Sequence, residues 1–165
     1  ISGDVARPGV YEFPMGVTVA DVLKVAGGEN AKAVAVGGAS GYCLPASEFN
    51  RAISYEDLAT GGSIIVFGPG RDMLAVVENF LEFFTDESCG QCTPCRYGNP
   101  RLLEGIRLLR RGRCSTDHLR NLYALGKTMQ IASKCGLGQS SPNMFLSVVK
   151  HFSNEVLGRA VPERT

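Results

Sequence analysis

The sequence predicts an α+β chain in two parts: a small sheet crossed by a helix over residues 1–70, then a helical bundle over residues 71–165. Three observations lead there. More than half of the 20 glycines, and most of the short β-branched runs, fall in the first part. From residue 71 onward Leu, Phe and Val recur at spacings of three and four, the period of an amphipathic helix. Between the two stands Gly68-Pro69-Gly70, a strong breaker of regular structure.

In the first part, Ile1–Val5 and Gly9–Phe13 read as strands of a hairpin turned by Ala6-Arg7-Pro8. Thr18 suits the N-cap of a short helix that places Val19, Val22, Leu23 and Ala26 on one face and stops at Gly27-Gly28. Ala33–Val36 reads as a third strand. Ser54 is expected to cap a helical turn over Tyr55-Glu56-Asp57, and Ser63–Phe67 to form the last strand. That order, ββαβ, a turn and a final β, is the order of a small ubiquitin-like β-grasp sheet.

Four helices are expected in the second part. Asp72–Phe84 carries Met73, Leu74, Val77, Phe80, Leu81 and Phe84 on one stripe. Asn99, with Pro100 at the first helical position, caps a second helix with Leu102, Leu103, Ile106 and Leu109 inward. Ser115 caps a third with Leu119, Leu122 and Met129 inward. Ser141, followed by Pro142, caps a fourth with Phe145, Val148, Val149 and Phe152 inward, closed by Gly158. Such stripes are buried only by packing on one another, which predicts a small four-helix bundle.

A formal net charge of +1 argues against a nucleic-acid binder or a protein of acidic membrane surfaces. No apolar run approaches the roughly 20 residues that span a bilayer. No signal peptide is evident, but a chain that opens on Ile1 inside a strand reads as an excerpt of a longer polypeptide.

The six cysteines carry the chemistry. Cys89, Cys92 and Cys95 form a Cys-x-x-Cys-x-x-Cys run, and Cys135 follows 40 residues after Cys95, in Lys134-Cys135-Gly136-Leu137-Gly138. Three clustered thiols and one distant thiol suit a four-iron, four-sulfur cube, which takes a thiolate at each iron. Structural zinc usually takes two separated knuckles or paired Cys and His, and here neither a second knuckle nor a partnered His118 or His151 is present. A zinc-stapled interaction module is therefore the runner-up, and a thiol redox pair at Cys92 and Cys95 the third reading. Gly90, Gly136 and Gly138 would let backbone N–H groups approach the sulfurs, and Arg96 and Lys134 would add charge beside them. Cys43 reads as a small core hydrophobe and Cys114 as a free thiol. Arg107, Arg110, Arg111 and Arg113 read as a solvated helix end before a docking patch. Thiols clustered as metal ligands, not spread as a disulfide framework, point to a reducing compartment, the cytoplasm.

These residues also carry a resemblance. Glu87-Ser88-Cys89-Gly90-Gln91-Cys92-Thr93-Pro94-Cys95-Arg96 with Gly98 resembles the cluster signature of the flavin- and NADH-binding subunit of respiratory complex I. Cys135-Gly136-Leu137-Gly138-Gln139 with Ser141-Pro142-Asn143 is similar to its fourth-ligand region, in the form found in the diaphorase subunit of NAD-reducing hydrogenases and the beta subunit of NAD-dependent formate dehydrogenases. Ile1-Ser2-Gly3-Asp4-Val5 through Pro8-Gly9-Val10-Tyr11 resembles the soluble-ligand-binding β-grasp module, SLBB, of that family.

The resemblance implies that Cys89, Cys92, Cys95 and Cys135 ligate a 4Fe-4S cluster. It implies an NADH-dependent oxidoreductase in which the cluster exchanges single electrons with a flavin, and in which iron–sulfur subunits are the partners. The family's glycine-rich phosphate loop is not found here, since Gly37-Gly38-Ala39-Ser40-Gly41 lacks a strand–loop–helix setting. FMN and NAD(P) are thus expected in an upstream flavin/NADH domain of the parent protein and not on this chain. No catalytic acid, base or nucleophile is expected, and neither nucleic-acid binding nor direct membrane insertion. No convergent polar set stands out in residues 1–70, which are expected to serve as a scaffold or subunit interface.

Overall fold

The computed structural model describes residues 1–161 and divides the chain into two compact units, the first Ile1–Arg71 and the second beginning at Asp72. Together they are a mixed α+β structure: a small sheet with its helix, and a set of packed helices.

The first unit holds β1 (Ser2–Gly3), α1 (Val19–Ala26), β2 (Ala33–Val36), β3 (Tyr42–Pro45) and β4 (Ile64–Phe67). The sheet order is β1-β4-β2-β3, with β1 parallel to β4 and the other pairs antiparallel. Thr18 caps α1 by accepting from the Asp21 N–H, and Gly27 ends it in the left-handed region at φ 70°. The apolar face of α1 meets Val34, Leu44, Ile64 and Val66 of the sheet in one core.

Three expectations fail in this unit. Gly9–Phe13 does not pair with Ile1–Val5. Backbone contact between them is confined to Ile1 and Gly9, which exchange hydrogen bonds at 2.8 and 3.0 Å. The intervening Arg7 turns away to α1, where its guanidinium donates to the Val25 carbonyl. The first strand is therefore short and lies beside β4. Second, Ser54–Asp57 forms no helix. Ser54 Oγ accepts from the Asp57 N–H at 3.3 Å, and the Asp57 carboxylate is drawn to Arg51 and the Ala52 N–H, which closes a turn. Third, β3 was not expected. The glycines before it make the turn: Gly37 and Gly38 have φ of 95° and 63°, and a Cβ on Gly41 would lie 1.7 Å from the Val36 carbonyl oxygen.

The second unit holds α2 (Met73–Asp86), α3 (Thr93–Arg110), α4 (Thr116–Ala132), α5 (Gly136–Ser140), α6 (Asn143–His151) and α7 (Ser153–Leu157). Asp72 caps α2 by accepting from the Leu74 and Ala75 N–H groups, and Ser115 caps α4 by accepting from the His118 N–H. Most of the predicted stripes are buried: Met73, Leu74, Val77, Leu81 and Phe84 on α2, Leu102, Leu103, Ile106 and Leu109 on α3, Leu119, Leu122 and Met129 on α4, and Phe145 and Val148 on α6, whereas Phe80, Val149 and Phe152 are only half-buried. Small residues bring the helices close. A Cβ on Gly98 would meet Met129 Sδ at 2.2 Å, one on Gly105 would meet Leu122 Cδ1 at 2.1 Å, and one on Gly126 would meet Leu146 Cδ2 at 3.0 Å. On the outer side, Glu78 of α2 binds both Arg107 and Arg110 of α3, and Glu82 binds Arg107. Those two arginines thus staple a helix pair and are not a free helix end.

The helix starts differ from expectation at two places. Asn99 does not cap a helix: α3 begins at Thr93 and runs through Pro100, with Cys92 at its N-cap. Pro100 removes one ladder donor, a cost that the burial of Leu102, Leu103, Ile106 and Leu109 outweighs. Ser141 does not cap α6 either. It ends α5, and Pro142 precedes α6. Among the described residues no helix is long and apolar enough to cross a membrane.

Candidate iron–sulfur site

Two chain turns supply the four expected cysteines. Cys89 lies in the connection from α2 to α3, Cys92 at the N-cap of α3, Cys95 in its first turn, and Cys135 at the N-cap of α5. Cys95 is thus inside a helix, not between helices. The α3–α4 pair spans the intervening 40 residues and returns the chain to the same end of the unit. Two contacts document the convergence. The backbone amide of Lys134, next to Cys135, acts on the Cys92 thiol and lowers its pKa. A Cβ on Gly138, three residues past Cys135, would lie 2.8 Å from the Cβ of Cys95.

The sulfurs differ in surroundings. Cys95 is buried, Cys92 half-buried, and Cys89 and Cys135 exposed. The Cys92 thiol is held below its ordinary range by the Lys134 N–H, then the Cys95 N–H, with the Lys134 charge adding to the effect. Its position at the start of the 18-residue α3 also favours a thiolate. Lys134 therefore acts on the site mainly through its backbone. Arg96 acts on the loop, donating to the Gly90 carbonyl at 2.9 Å. Gly90, at φ 73°, donates its N–H to Ser88 Oγ and not to a sulfur.

Cys95 has polar neighbours that the spacing argument overlooked. Ser88 Oγ lies 3.3 Å from its sulfur, and Asn99 Nδ2 lies 3.4 Å from it while also donating to the Phe84 carbonyl. Asn99 is one helical turn after Cys95, so its offset of four was the available signal; its apparent fitness as a cap obscured it. Ser133 is buried beside Gly138, two residues before Cys135.

The donor set fits an iron–sulfur cube. It offers four thiols and no carboxylate or imidazole. Backbone N–H groups face one sulfur and side-chain donors another, as an anionic cluster requires. Tetrahedral zinc would draw its four sulfurs to about 3.8 Å from one another at Zn–S bonds of about 2.3 Å. Among the described residues no three Cys, His, Asp or Glu side chains gather into a group that would hold one metal ion.

The two remaining cysteines are packing residues. Burial pushes the Cys43 thiol up to about 12, and burial likewise raises that of Cys114, whose sulfur lies against the Ser115 carbonyl at 3.5 Å. None of the six cysteines forms a disulfide.

Known proteins agree with this architecture. The family described as the NADH-ubiquinone oxidoreductase-F iron–sulfur binding region matches residues 75–159, and the SLBB domain family matches residues 1–44. The chain is 37% identical over 153 residues to the alpha subunit of NAD-reducing hydrogenase HoxS of Cupriavidus necator, covering 92% of this chain and 25% of that protein. It is 33% identical over 167 residues to an NADH-quinone oxidoreductase subunit of Mycobacterium bovis, covering 95% of this chain and 38% of that one. A crystal structure of NAD+-reducing [NiFe]-hydrogenase in the H2-reduced state superposes with a TM-score of 0.92 at 37% identity, over 98% of this chain and 29% of the other. The chain therefore spans between a quarter and two fifths of the length of these relatives. With more than half of its residues matched, and with Cys89, Cys92, Cys95 and Cys135 inside the matched part, the protein belongs to the NADH-ubiquinone oxidoreductase-F iron–sulfur binding region family.

Proposed function

We propose that Cys89, Cys92, Cys95 and Cys135 bind one 4Fe-4S cluster and that the protein relays single electrons through it as part of an NAD(P)H-linked oxidoreductase. The observation that carries this reading is the convergence of the two cysteine turns, Gly138 of the second lying against Cys95 of the first. When bound, the cluster supplies one-electron acceptance and release.

The protein's own residues hold and shield it. Cys95 and Cys92 anchor the site to the rigid start of α3, whose dipole and free N–H groups favour negative charge. The Lys134 and Cys95 amides compensate the charge on the Cys92 sulfur. Ser88 and Asn99 do the same at Cys95, on the buried side. Cys89 and Cys135 stand on the exposed side, where a redox partner has the shorter path to the cluster.

The donor of electrons on this reading is FMN, reduced by NADH or NADPH, and the recipients are iron–sulfur subunits of a multi-subunit complex; flow in the reverse direction uses the same route. FMN and NAD(P) belong to a flavin/NADH domain outside the matched stretch, for which the greater length of the relatives leaves room. The thiol-rich site calls for a reducing compartment, the cytoplasm. For the first unit we favour a β-grasp scaffold or subunit interface. The parallel pairing of the first and last strands, with α1 packed across the sheet, supports the β-grasp assignment. For the second, the packing of α2, α3, α4 and α6 supports a four-helix bundle.

The test is anaerobic reconstitution of the full-length protein, followed by iron and sulfide analysis and EPR of the reduced form. About four irons and four sulfides per chain with a cubane signal are expected. Zinc without sulfide, or iron without a cubane signal, overturns the reading.

A further inference from the structure

Two buried side-chain atoms among the described residues lack any hydrogen-bond partner, Asn99 Oδ1 and Ser133 Oγ, and both belong to residues that surround Cys95. Asn99 is fully buried. Its amide nitrogen divides its two N–H groups between the Phe84 carbonyl and the Cys95 sulfur, each at 3.4 Å, and leaves the oxygen unpaired. A buried amide without a partner for its oxygen carries a desolvation cost, so the arrangement is held by what the nitrogen does. Ser133 has a buried hydroxyl whose oxygen lies 2.7 Å from the Cβ position of Gly138, the same position that lies 2.8 Å from Cys95 Cβ. A hydroxyl is a donor in need of an acceptor, and this one shares its corner with the Cys95 side chain, both lying against Gly138. On the third side Ser88 Oγ accepts from the Gly90 N–H, which leaves its own O–H free to donate to Cys95 at 3.3 Å.

Resting on the cluster assignment above, we propose that Asn99, Ser133 and Ser88 form a polar backing behind Cys95 that donates hydrogen bonds to the cluster's sulfur atoms and raises its reduction potential. These are positioning residues acting through sulfur. Hydrogen bonds to the sulfurs stabilise the reduced cluster, which carries one more negative charge, over the oxidised one. The effect is strongest where water does not compete, and Cys95 is the buried ligand of the four. The backing therefore makes the cluster a better electron acceptor from its interior side while Cys89 and Cys135 remain in contact with solvent.

The experiment is a redox titration, followed by EPR, of the full-length cluster-loaded protein and of its Asn99→Leu, Asn99→Ala and Ser133→Ala variants. Iron and sulfide content and melting temperature are measured on each. Removal of one donor is expected to lower the midpoint potential, so that at fixed ambient potential the ratio of reduced to oxidised cluster falls about three- to tenfold. Leu122→Ala, a packing change between α3 and α4, controls for simple destabilisation and is expected to lower the melting temperature with the potential unchanged. Full iron content with wild-type potential in all three variants overturns the proposal. Loss of the cluster in both Asn99 variants, together with an unshifted Ser133→Ala, also overturns it, since the backing then serves assembly and not potential. A wild-type protein that holds no iron–sulfur cluster refutes the underlying assignment instead, so the two failures are distinguishable.

Discussion

Gly138 and Cys95 touch: a methyl group on the glycine would stand 2.8 Å from the Cβ of the cysteine and 2.7 Å from Ser133 Oγ. Real Cβ atoms do not approach so closely, so α5 and α3 meet at this distance only because residue 138 has no side chain. Gly138→Ala is expected to push Cys135 away from Cys95, to cost about 1–3 kcal/mol as an overpacked contact, and to lower iron retention. Gly136→Ala, two residues away and with nothing within 4 Å of its Cβ position, is expected to retain full iron. Equal iron in the two purified variants would show that the contact is unimportant to the site.

The two cysteines outside the site give the converse prediction. Cys43 and Cys114 are buried among other side chains, Cys43 in the sheet and Cys114 between α3 and α4. Their replacement by Ala removes a small buried group, which is expected to cost about 1 kcal/mol and to leave iron content at the wild-type level. Cys92→Ser is expected to lose most of the iron. Iron analysis of the three variants side by side checks the ligand assignment without reference to activity.

Asp4 carries a pH dependence. The Arg71 guanidinium and the Gly68 N–H, both bound to its carboxylate, hold it down at about 2 from an ordinary value of 3.8. A carboxyl whose value is depressed on folding stabilises the protein above its unfolded value and loses that contribution as pH falls through the folded one. Denaturant titrations of wild type and Asp4→Asn are expected to differ at pH 5 and to converge between pH 3.8 and about 2. The partial exposure of the pair keeps the difference small, and a gap that persists at pH 2 would refute the assignment.

Glu78 is the shared acceptor of Arg107 and Arg110 and is the least exposed member of that network. Burial pushes its carboxyl up, but the two guanidiniums outweigh this and hold it below the usual range. Glu78→Ala is expected to destabilise the second unit by about 1 kcal/mol, more than Glu104→Ala in the exposed pair with Arg101, which is expected to cost a few tenths. A double-mutant cycle of Glu78 with Arg107 measures the coupling.

The proposed ligands were legible in the sequence because thiol spacing is a covalent property of the chain, visible without a fold. The helical stripes were legible for the same kind of reason, since Met73, Leu74, Val77 and Leu81 repeat with the helix. What stayed hidden depends on contacts between distant residues. Asn99 beside a proline has the local chemistry of a cap, yet burial against Phe84 and Cys95 keeps it inside α3. Ile1–Val5 and Gly9–Phe13 have the local look of a hairpin, yet Arg7 is drawn to the end of α1. Tyr42–Pro45 follows glycines that mark a turn, but nothing local tells that its partner is β2. In the first two cases a tertiary interaction prevailed over a local preference of about 1 kcal/mol or less, and in the third the deciding contact had no local signal.

The parallel pairing of β1 with β4 has a consequence for how the chain acquires its structure. Ser2 sits opposite Ile65, and Asp4 binds Arg71, 67 residues later. A chain made from its amino end must therefore hold its first strand unpaired until nearly the whole unit has emerged. α1 and the β2–β3 hairpin can form earlier from near neighbours, whereas the sheet is completed last, at the slow, non-local step. During that interval the open edge of β4's future partner is exposed to other chains. The brevity of β1, two residues long, limits how much sticky edge waits there.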